Sequence, residues 1–535
     1  MSRSTGDAGR TVQIVVGLLL TFPAVGGLLW SYVLPTINTV TESFGTEADP
    51  LGRSVGASGD GNYKQTFDSG FVGDVGFALL LAIVPLLLAL VVAPLLALAA
   101  SRAGRMARLA TRALLALPLA AYAPLAVAAS WTSHRFGTDT TAWRESPTAT
   151  SVRTVALLTA GLVVAVSATL FLSVLRRPGR KGPALAAVGG VLGLAVVAVT
   201  VQSWSLQLPM LAGGSDHTGP MPTAILGGVR GLGMGVGAAG STLLLALLAV
   251  LGLAAVALLL LTRTRITFTG WRDRSDEPAG EDRSPGALAL TAVGLLAFVG
   301  VLAYVFSPWL GDLFGDSELP SGLSTGEIRA NTWLPPLVST VVGVSLAVLA
   351  GFGIGGLRPL GRASELLLLP FAPWLFVGDG PLALAHFQRT QEADQISTFA
   401  GLVSPGWLCI PALVVFTLFF RGQHERWTAG GRFASTMLVP ALPLVAAAGL
   451  LTWLVNAQGW LWSQLVVTDM DRAPASNLLM AGIAQFGQRP ERMRAFIAEV
   501  LPLPLLLFFL VAFVAAQVFL LDRLAIRAGR TDRDA

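Results

Sequence analysis

Long apolar runs recur along the whole sequence and restrict the fold more than any other feature. Runs of about 20 residues can cross the roughly 30 Å hydrocarbon layer of a bilayer as helices. The runs are rich in Leu, Ala and Val without strict alternation, which favours helices over a β-barrel. Only 13% of the residues are charged, against about a quarter in soluble proteins. The sequence therefore predicts an all-α polytopic integral membrane protein.

The apolar runs predict about twelve transmembrane helices. They lie near residues 11–34, 71–100, 113–132, 154–175, 184–204, 233–262, 287–310, 334–357, 363–386, 405–420, 435–457 and 500–522. An even number of spans places both termini on one side of the membrane. The segments expected on that side hold 24 of the 36 Lys and Arg residues. Because positive charge favours the inside, we expect both termini in the cytoplasm and the chain in the plasma (inner) membrane.

A charged segment divides the predicted spans into two sets of six. Residues 263–286 contain Pro, Gly and many charges and lack an apolar period, as is typical of a linker. Residues 1–262 and 287–535 then form two permease-like halves. Copies of equal orientation imply a pseudo-two-fold axis along the membrane normal and a cavity between the halves. This favours a protein that moves a solute, although receptors and envelope enzymes can also have many spans.

Catalytic and cofactor motifs are absent from the sequence. There is no G-x-x-x-x-G-K-[ST] phosphate loop, so ATP-driven work would need a partner subunit. The four histidines lack metal-ligand spacing and the single cysteine excludes a multi-cysteine centre. No outside loop offers a recognisable pair of carboxylates with a supporting base. We therefore expect no catalytic residue, no metal, no cofactor in this chain and no nucleic-acid partner.

Ionisable residues inside spans are the first candidates for function, because a charge in a bilayer is costly. Asp379 lies in FVGDGPLALAHFQ (376–388). The Gly-Asp-Gly-Pro sequence could open the ninth predicted span and turn a carboxylate towards a cavity. Alternatively, the span ends near Gly378 and Asp379 is solvated outside. Asp74 and Glu365 lie near predicted span ends and are interpreted as interfacial.

Two stretches of the second half carry a family resemblance. NTWLPPLVSTVVGVSLAVLAGFGIGGLRPLGR (331–362) combines an Asn-Thr start, a long helix of small residues and an Arg-x-x-Gly-Arg turn. Residues 438–488 combine a Pro-containing span, an Asn/Trp segment and an outer loop. Both resemble permease subunits of binding-protein-dependent ABC importers of the maltose-like carbohydrate class. Residues 79–131 resemble the sister subunit more faintly, which implies two permease halves fused in one chain.

The resemblance implies a substrate path between the halves, a solute-binding lipoprotein outside and two ABC ATPase subunits inside. Asn331 and Asn456 are path candidates from the motif match. Asp379 is a candidate by polarity and Trp460 by stacking near the outer mouth. Trp453 and Trp462 could stack in the same way, or all three rings could belong to the interfacial aromatic belt.

The family carries an E-A-A…G loop between the fourth and fifth spans of each half, where the ATPase docks. Here the corresponding segments are RRPGRKGP (176–183) and RGQHERWTAGGR (421–432), and neither contains the motif. We interpret them as short basic turns. The candidate contacts to a cytoplasmic partner are Arg176, Arg177, Arg421, Arg426 and Gly430. Anchoring beside anionic lipid is an alternative role for the arginines.

Two hypotheses follow for the function. The first is a permease-like component of an ABC-type import system for a small polar solute, with a carbohydrate as the expected class. The second is a permease-derived scaffold or receptor that has lost coupling to an ATPase, which the short inner turns favour. A membrane enzyme acting on a lipid-linked substrate is the weakest alternative, because no catalytic constellation supports it.

Overall fold

The structure is a computed structural model in which helices dominate. It describes residues 3–45, 47–48, 54–55, 59–137, 141, 145–176, 181–203, 234–268, 284–315, 319–320, 322–486 and 490–529. The first half contains α1 (Arg3–Leu28, extended to Glu42), α2 (Asp60–Asp68), α3 (Phe71–Arg102), α4 (Arg105–Ala120), α5 (Pro124–Arg135), α6 (Pro147–Leu175), α7 (Gly182–Gln202) and α8 (Met234–Leu261).

The second half contains α9 (Pro285–Leu313), α10 (Thr325–Leu357), α11 (Ala383–Glu392), α12 (Phe399–Leu402), α13 (Ile410–Thr428), α14 (Ala434–Ala457), α15 (Leu461–Val466), α16 (Ala475–Phe486), α17 (Pro490–Val500) and α18 (Leu503–Ala515, extended to Arg523). Separate 3₁₀ helices cover Gly361–Trp374 and Met470–Arg472, and a third, Leu521–Arg523, ends the extension of α18. The strands are β1 (Glu47–Ala48), β2 (Ser54–Val55), β3 (Arg265–Phe268) and β4 (Leu524–Arg527).

The helices fit a polytopic membrane protein, as predicted. Nine helical stretches of the described residues are long and apolar enough to cross a membrane, and a bent pair would make ten. The twelve predicted spans are therefore not confirmed as a count. The differences are confined to the third, ninth and tenth predicted spans.

Each of these three spans departs from a straight apolar helix for a physical reason. The third consists of α4 and α5, which meet at an angle of 84° just before Pro124. The ninth is a 3₁₀ helix containing Pro370 and Pro373, residues that cannot donate the backbone hydrogen bonds of an α-helix. The tenth, α13, contains Arg421 among its last eight residues. Its apolar part is therefore too short to span a bilayer alone.

Glycines allow the helices to approach closely. A Cβ atom on Gly252 of α8 would lie 2.1 Å from the Ala372 carbonyl oxygen of the 3₁₀ helix. A Cβ atom on Gly355, at the end of α10, would lie 2.2 Å from the Thr417 carbonyl oxygen of α13. Small residues at such crossings are typical of membrane helix packing, where dispersion contacts hold helices together. The glycine content of these helices thus serves packing between them.

Two strands join the segment after α8 to the end of the chain. Strand β3 pairs with β4 in antiparallel register, with Ile266 opposite Ile526. Strand β3 contacts α13, and β4 contacts α6. The start of the predicted linker is therefore an ordered strand, which the lack of an apolar period did not indicate. We call this region the basic end of the bundle: residues 102–112, 176, 263–268, 358–365, 421–432 and 522–527.

Candidate functional site

A cavity of about 480 Å³ lies between helices of both predicted halves. The first half lines it through α4, α5, α6 and α7, and the second half through α9, the segment 376–380 and the α14–α15 connection. Its volume falls within the range of about 300–1,000 Å³ that is usual for small-molecule sites. The wall is mostly apolar with a few polar side chains, the composition expected of a ligand cavity.

Gln202, the last residue of α7, holds the broken segment of the second half. Its Nε2 donates to the Phe376 carbonyl oxygen at 2.7 Å and to the Ala198 carbonyl oxygen at 2.8 Å. Its Oε1 accepts from the Gly378 backbone N–H at 2.9 Å. The side-chain amide thus replaces the backbone partners that the segment loses where the 3₁₀ helix ends. One residue of the first half fixes the wall contributed by the second.

Asp379 lies in this broken segment and lines the cavity. The 3₁₀ helix ends at Trp374 and α11 begins at Ala383, so the Gly-Asp-Gly-Pro sequence does interrupt the ninth predicted span. The Ser404 hydroxyl donates to Asp379 Oδ1 at 3.5 Å. Among the described residues, no Lys, Arg or His pairs with this carboxylate. Asp379 is exposed and also borders the cavity, which agrees with either interpretation of this residue.

Asn456 and Trp460 also line the cavity, together with Gln458. Asn456 Nδ2 donates to Thr340 Oγ1 at 3.1 Å, and Gln458 Nε2 donates to the Val500 carbonyl oxygen at 3.2 Å. The Trp460 side chain is buried within the protein. The structure therefore brings three of the four predicted path residues, Asp379, Asn456 and Trp460, to one cavity.

Asn331 is the predicted path residue that does not line this cavity. Its neighbour Thr332 is buried, and the Thr332 Oγ1 atom accepts from the Ala475 backbone N–H at 2.9 Å. The Asn-Thr start of α10 thus anchors α16. Trp453 likewise has a packing role, since its Nε1 donates to the Trp333 carbonyl oxygen at 2.9 Å.

At the basic end, Asp522 is surrounded by three arginines of the first half. Its carboxylate lies 3.1 Å from Arg108 Nε, 3.3 Å from Arg112 Nε and 3.1 Å from Arg176 Nη1. Arg112 is fully buried, and its Nη1 also approaches Gln517 Oε1 at 3.5 Å. A residue near the end of the second half therefore neutralises a cluster in the first half. Arg176, a predicted partner contact, belongs to this internal cluster.

Glu365 forms the second such cluster with arginines of its own half. Its Oε1 lies 3.3 Å from Arg358 Nη2 and 3.0 Å from Arg421 Nε. The Glu365 side chain is only 6% exposed. The two arginines supply the opposite charge that a buried carboxylate requires. Burial lowers the pKa of Arg421, and the charge of Glu365 opposes that shift.

The predicted basic turn 421–432 is mostly helical, which corrects the sequence interpretation. Helix α13 continues to Thr428, because strand β3 packs along its final turns. A Cβ atom on Gly422 would lie 1.9 Å from the Ile266 carbonyl oxygen. Arg421 Nη1 approaches the Thr264 carbonyl oxygen at 3.5 Å, and Arg426 donates to that of Phe268. These contacts hold Arg421 against β3, while Arg426 remains exposed.

The remaining predicted partner contacts differ from one another. Gly430 is exposed in the turn after α13 with φ of +98°, a conformation that favours glycine. Arg177 lies outside the described residues.

His424 Nδ1 is 2.7 Å from the Gly356 carbonyl oxygen, and burial lowers the pKa of this histidine. Because a carbonyl oxygen only accepts, Nδ1 of the neutral ring carries the proton.

Several residues of the cavity and the clusters escaped sequence reasoning. Three uncharged polar residues of the cavity lining were not recognised: Gln202, Tyr122 and Gln458. An uncharged polar side chain in an apolar run does not indicate function, and only the fold gives these residues a role. Asp522 gave no signal, because the terminal segment also contains Asp532 and Asp534. In the part of the chain that the structure describes, no group of three or more His, Cys, Asp or Glu residues could hold a metal ion.

Comparisons with protein-family models, with curated proteins and with solved structures give no match for this chain. The cavity and the basic end therefore carry the functional argument.

Proposed function

We propose that the chain is a permease-like component of a membrane import system, in which the cavity receives a small polar solute. The observation that carries this proposal is the cavity itself, which both halves line and which contains Asp379, Asn456 and Trp460. Transporters assembled from repeats usually bind their substrate where the repeats meet, often beside a broken helix. Asp379 lies in such a break.

Matching contacts support two repeats that exchange elements. In the first half, α3 packs against α6 and α7, and against α9 of the second half. In the second half, α10 packs against α13 and α14, and against α1 of the first half. The strands follow the same exchange, with β3 on α13 and β4 on α6. This pattern is what a pseudo-two-fold axis between two six-span units would produce.

Cysteine labelling tests whether the cavity is open to a solute. In a Cys409→Ser background, we expect Asn456→Cys and Leu157→Cys, one from each half, to react with a small water-soluble thiol reagent. Val301→Cys provides a third lining position on α9, where the side chain is half-buried. Leu172→Cys is the control, because that side chain is buried within the bundle. Labelling of the control alone, or of none of the lining positions, would contradict a solute cavity.

The basic end favours a second candidate function. Arg176 and Arg421 are engaged in ion pairs within the chain, so these two arginines do not form the free docking surface that an ATPase would need. A permease-derived receptor or scaffold that binds a solute without driving its transport agrees with this observation. An ATPase would have to dock elsewhere, on the exposed turn around Gly430 or on segments outside the described residues.

Purification of the tagged chain from its native membrane in mild detergent separates the two candidates. Mass spectrometry identifies the proteins that copurify, and an ATPase assay measures their turnover. A stoichiometric ATPase stimulated by this chain supports the import permease. The receptor or scaffold is supported if no ATPase copurifies, or if the turnover of the copurifying ATPase does not depend on this chain. A copurifying solute-binding lipoprotein agrees with both candidates.

The proposed orientation places the basic end in the cytoplasm and the chain in the plasma (inner) membrane, following the positive-inside rule. A reporter fused after Ala279 is then expected inside, and one inserted near Gly59 is expected outside. The opposite pattern would exclude import through this cavity as proposed.

A further inference from the structure

We infer that the cavity selects an organic cation, an ammonium group carried on a partly apolar body, in preference to a carbohydrate or an anion. This inference rests on the proposed function, in that the cavity must bind a solute. Three observations carry it: the charge of the lining residues, the direction of the lining amides and the aromatic residues around them.

The charged side chain of the described cavity lining is negative. Asp379 is the carboxylate of the lining, and no Lys, Arg or His of the described residues contributes to it. Its hydrogen-bond partner is the Ser404 hydroxyl at 3.5 Å, a neutral donor at the limit of hydrogen bonding. A carboxylate in a mostly apolar wall is stabilised when a cation enters beside it. An anionic solute would meet repulsion without compensation.

Each lining amide uses at least one of its two N–H donors within the protein. Gln202 Nε2 donates to two carbonyl oxygens, Asn456 Nδ2 to the Thr340 hydroxyl, and Gln458 Nε2 to a carbonyl oxygen. The amide oxygens of Asn456 and Gln458 remain as acceptors. A carbohydrate hydroxyl both donates and accepts, so a sugar needs donors from its site as well. A cationic ammonium head, quaternary or not, accepts no hydrogen bond, so a wall that presents amide and carboxylate oxygens suits it electrostatically.

Aromatic side chains supply the rest of the match. Tyr122 and Trp460, together with Phe306 and Phe376, line the same cavity as Asp379. The face of an aromatic ring attracts a cation, most strongly for Trp and when water is excluded. The same rings also pack against the apolar part of an organic ammonium ion. A small metal cation would gain less from these walls, since such ions prefer several oxygen ligands.

A matched pair of probes isolates the charge. The full-length chain is reconstituted in lipid nanodiscs, and binding is measured by titration calorimetry with choline and with its neutral alcohol, in which carbon replaces the quaternary nitrogen. Maltose is the carbohydrate probe. We expect choline to bind at least about tenfold more tightly than its neutral counterpart. Maltose is expected to show no binding.

Variants locate the effect at Asp379. In Asp379→Asn, we expect the preference for choline over the neutral alcohol to fall at least about tenfold, since the attraction between opposite charges is lost. Affinity for the neutral alcohol should stay within about twofold of the unchanged chain, because its contacts do not involve the charge. Glu392→Gln, an exposed position of α11 outside the cavity lining, is the matched control and should leave both affinities unchanged.

The possible results distinguish this inference from the proposed function. If maltose or the neutral alcohol binds as tightly as choline, the cavity receives a solute but the preference for cations is overturned. The same conclusion holds if Asp379→Asn keeps the preference for choline. If none of the three probes binds at millimolar concentration, both the inference and the solute cavity are rejected.

Discussion

At the basic end of the bundle, Asp522 and Glu365 each lie within 3.3 Å of two or more arginines, whereas Asp379 at the cavity has a single hydroxyl partner at 3.5 Å. The basic-end carboxylates connect segments that are distant in sequence. Asp379 forms no ion pair with a described residue that would connect distant segments in this way. A carboxylate that holds the fold is surrounded by its counter-charges, and one that serves a ligand keeps its charge available.

The two basic-end clusters also differ from each other. Glu365 neutralises arginines of its own half, but Asp522 reaches three arginines of the other half from the end of α18. The first half consequently depends on a segment that comes last in the chain. Together with the β3–β4 pair, this contact links the two halves at the basic end, in addition to the helix contacts between them.

Replacing Asp522 with Asn should have the largest effect on stability. It leaves three arginines close together, one of them fully buried, and removing one partner of a buried ion pair costs about 3–5 kcal/mol. The measurement is the free energy of unfolding of the purified chain in detergent. Asp471→Asn, at an exposed position, is the control and should change stability by less than about 0.5 kcal/mol. Equal stability of the two variants would remove the proposed link between the halves.

Glu365→Gln should destabilise the chain less than Asp522→Asn. Arg358 and Arg421 keep 21% and 14% of their side chains exposed, so water partly compensates for the lost carboxylate. We expect a loss of about 1.5–3 kcal/mol, the value of hydrogen bonds to a charged group. Thermal melting of both variants in the same detergent compares them directly. A larger loss for Glu365→Gln would reverse the ranking of the two clusters.

Gly422→Ala tests whether β3 is locked against α13. The added methyl group would lie 1.9 Å from the Ile266 carbonyl oxygen, so the strand must move, at a cost of about 1–3 kcal/mol. We expect faster proteolysis between Arg263 and Phe268. Gly26→Ala in α1 is the matched control, because no atom lies within 4 Å of its added Cβ. Identical digestion of the two variants would show that the strand does not pack there.

Asp379→Asn should have the smallest effect on stability, within about 0.5 kcal/mol, because no ion pair with a described residue is broken. The same variant is expected to change ligand binding, so stability and function separate at this position. Melting curves recorded beside those of Asp522→Asn sharpen the comparison between the two ends. A loss of several kcal/mol would instead make Asp379 a structural residue.

Sequence reasoning reached the class of fold and part of the site. Apolar runs indicated the membrane helices, and the Gly-Asp-Gly-Pro break indicated Asp379 because a charge and helix-breaking residues coincide there. Asn456 and Trp460 also line the cavity, whereas Asn331 does not. The arginines were recognised as a basic feature, but their internal partners were missed, since Asp522 lies 346 residues from Arg176.

By itself, the sequence determined that this chain is a membrane-embedded helical protein, because the length and polarity of each run are local properties that the bilayer selects directly. The tertiary structure alone decided which spans bend, that the end of the chain pairs with the segment after α8, and that Gln202 fixes the wall bearing Asp379. These features depend on contacts between distant residues, and hydropathy carries no information about which apolar helix packs against which.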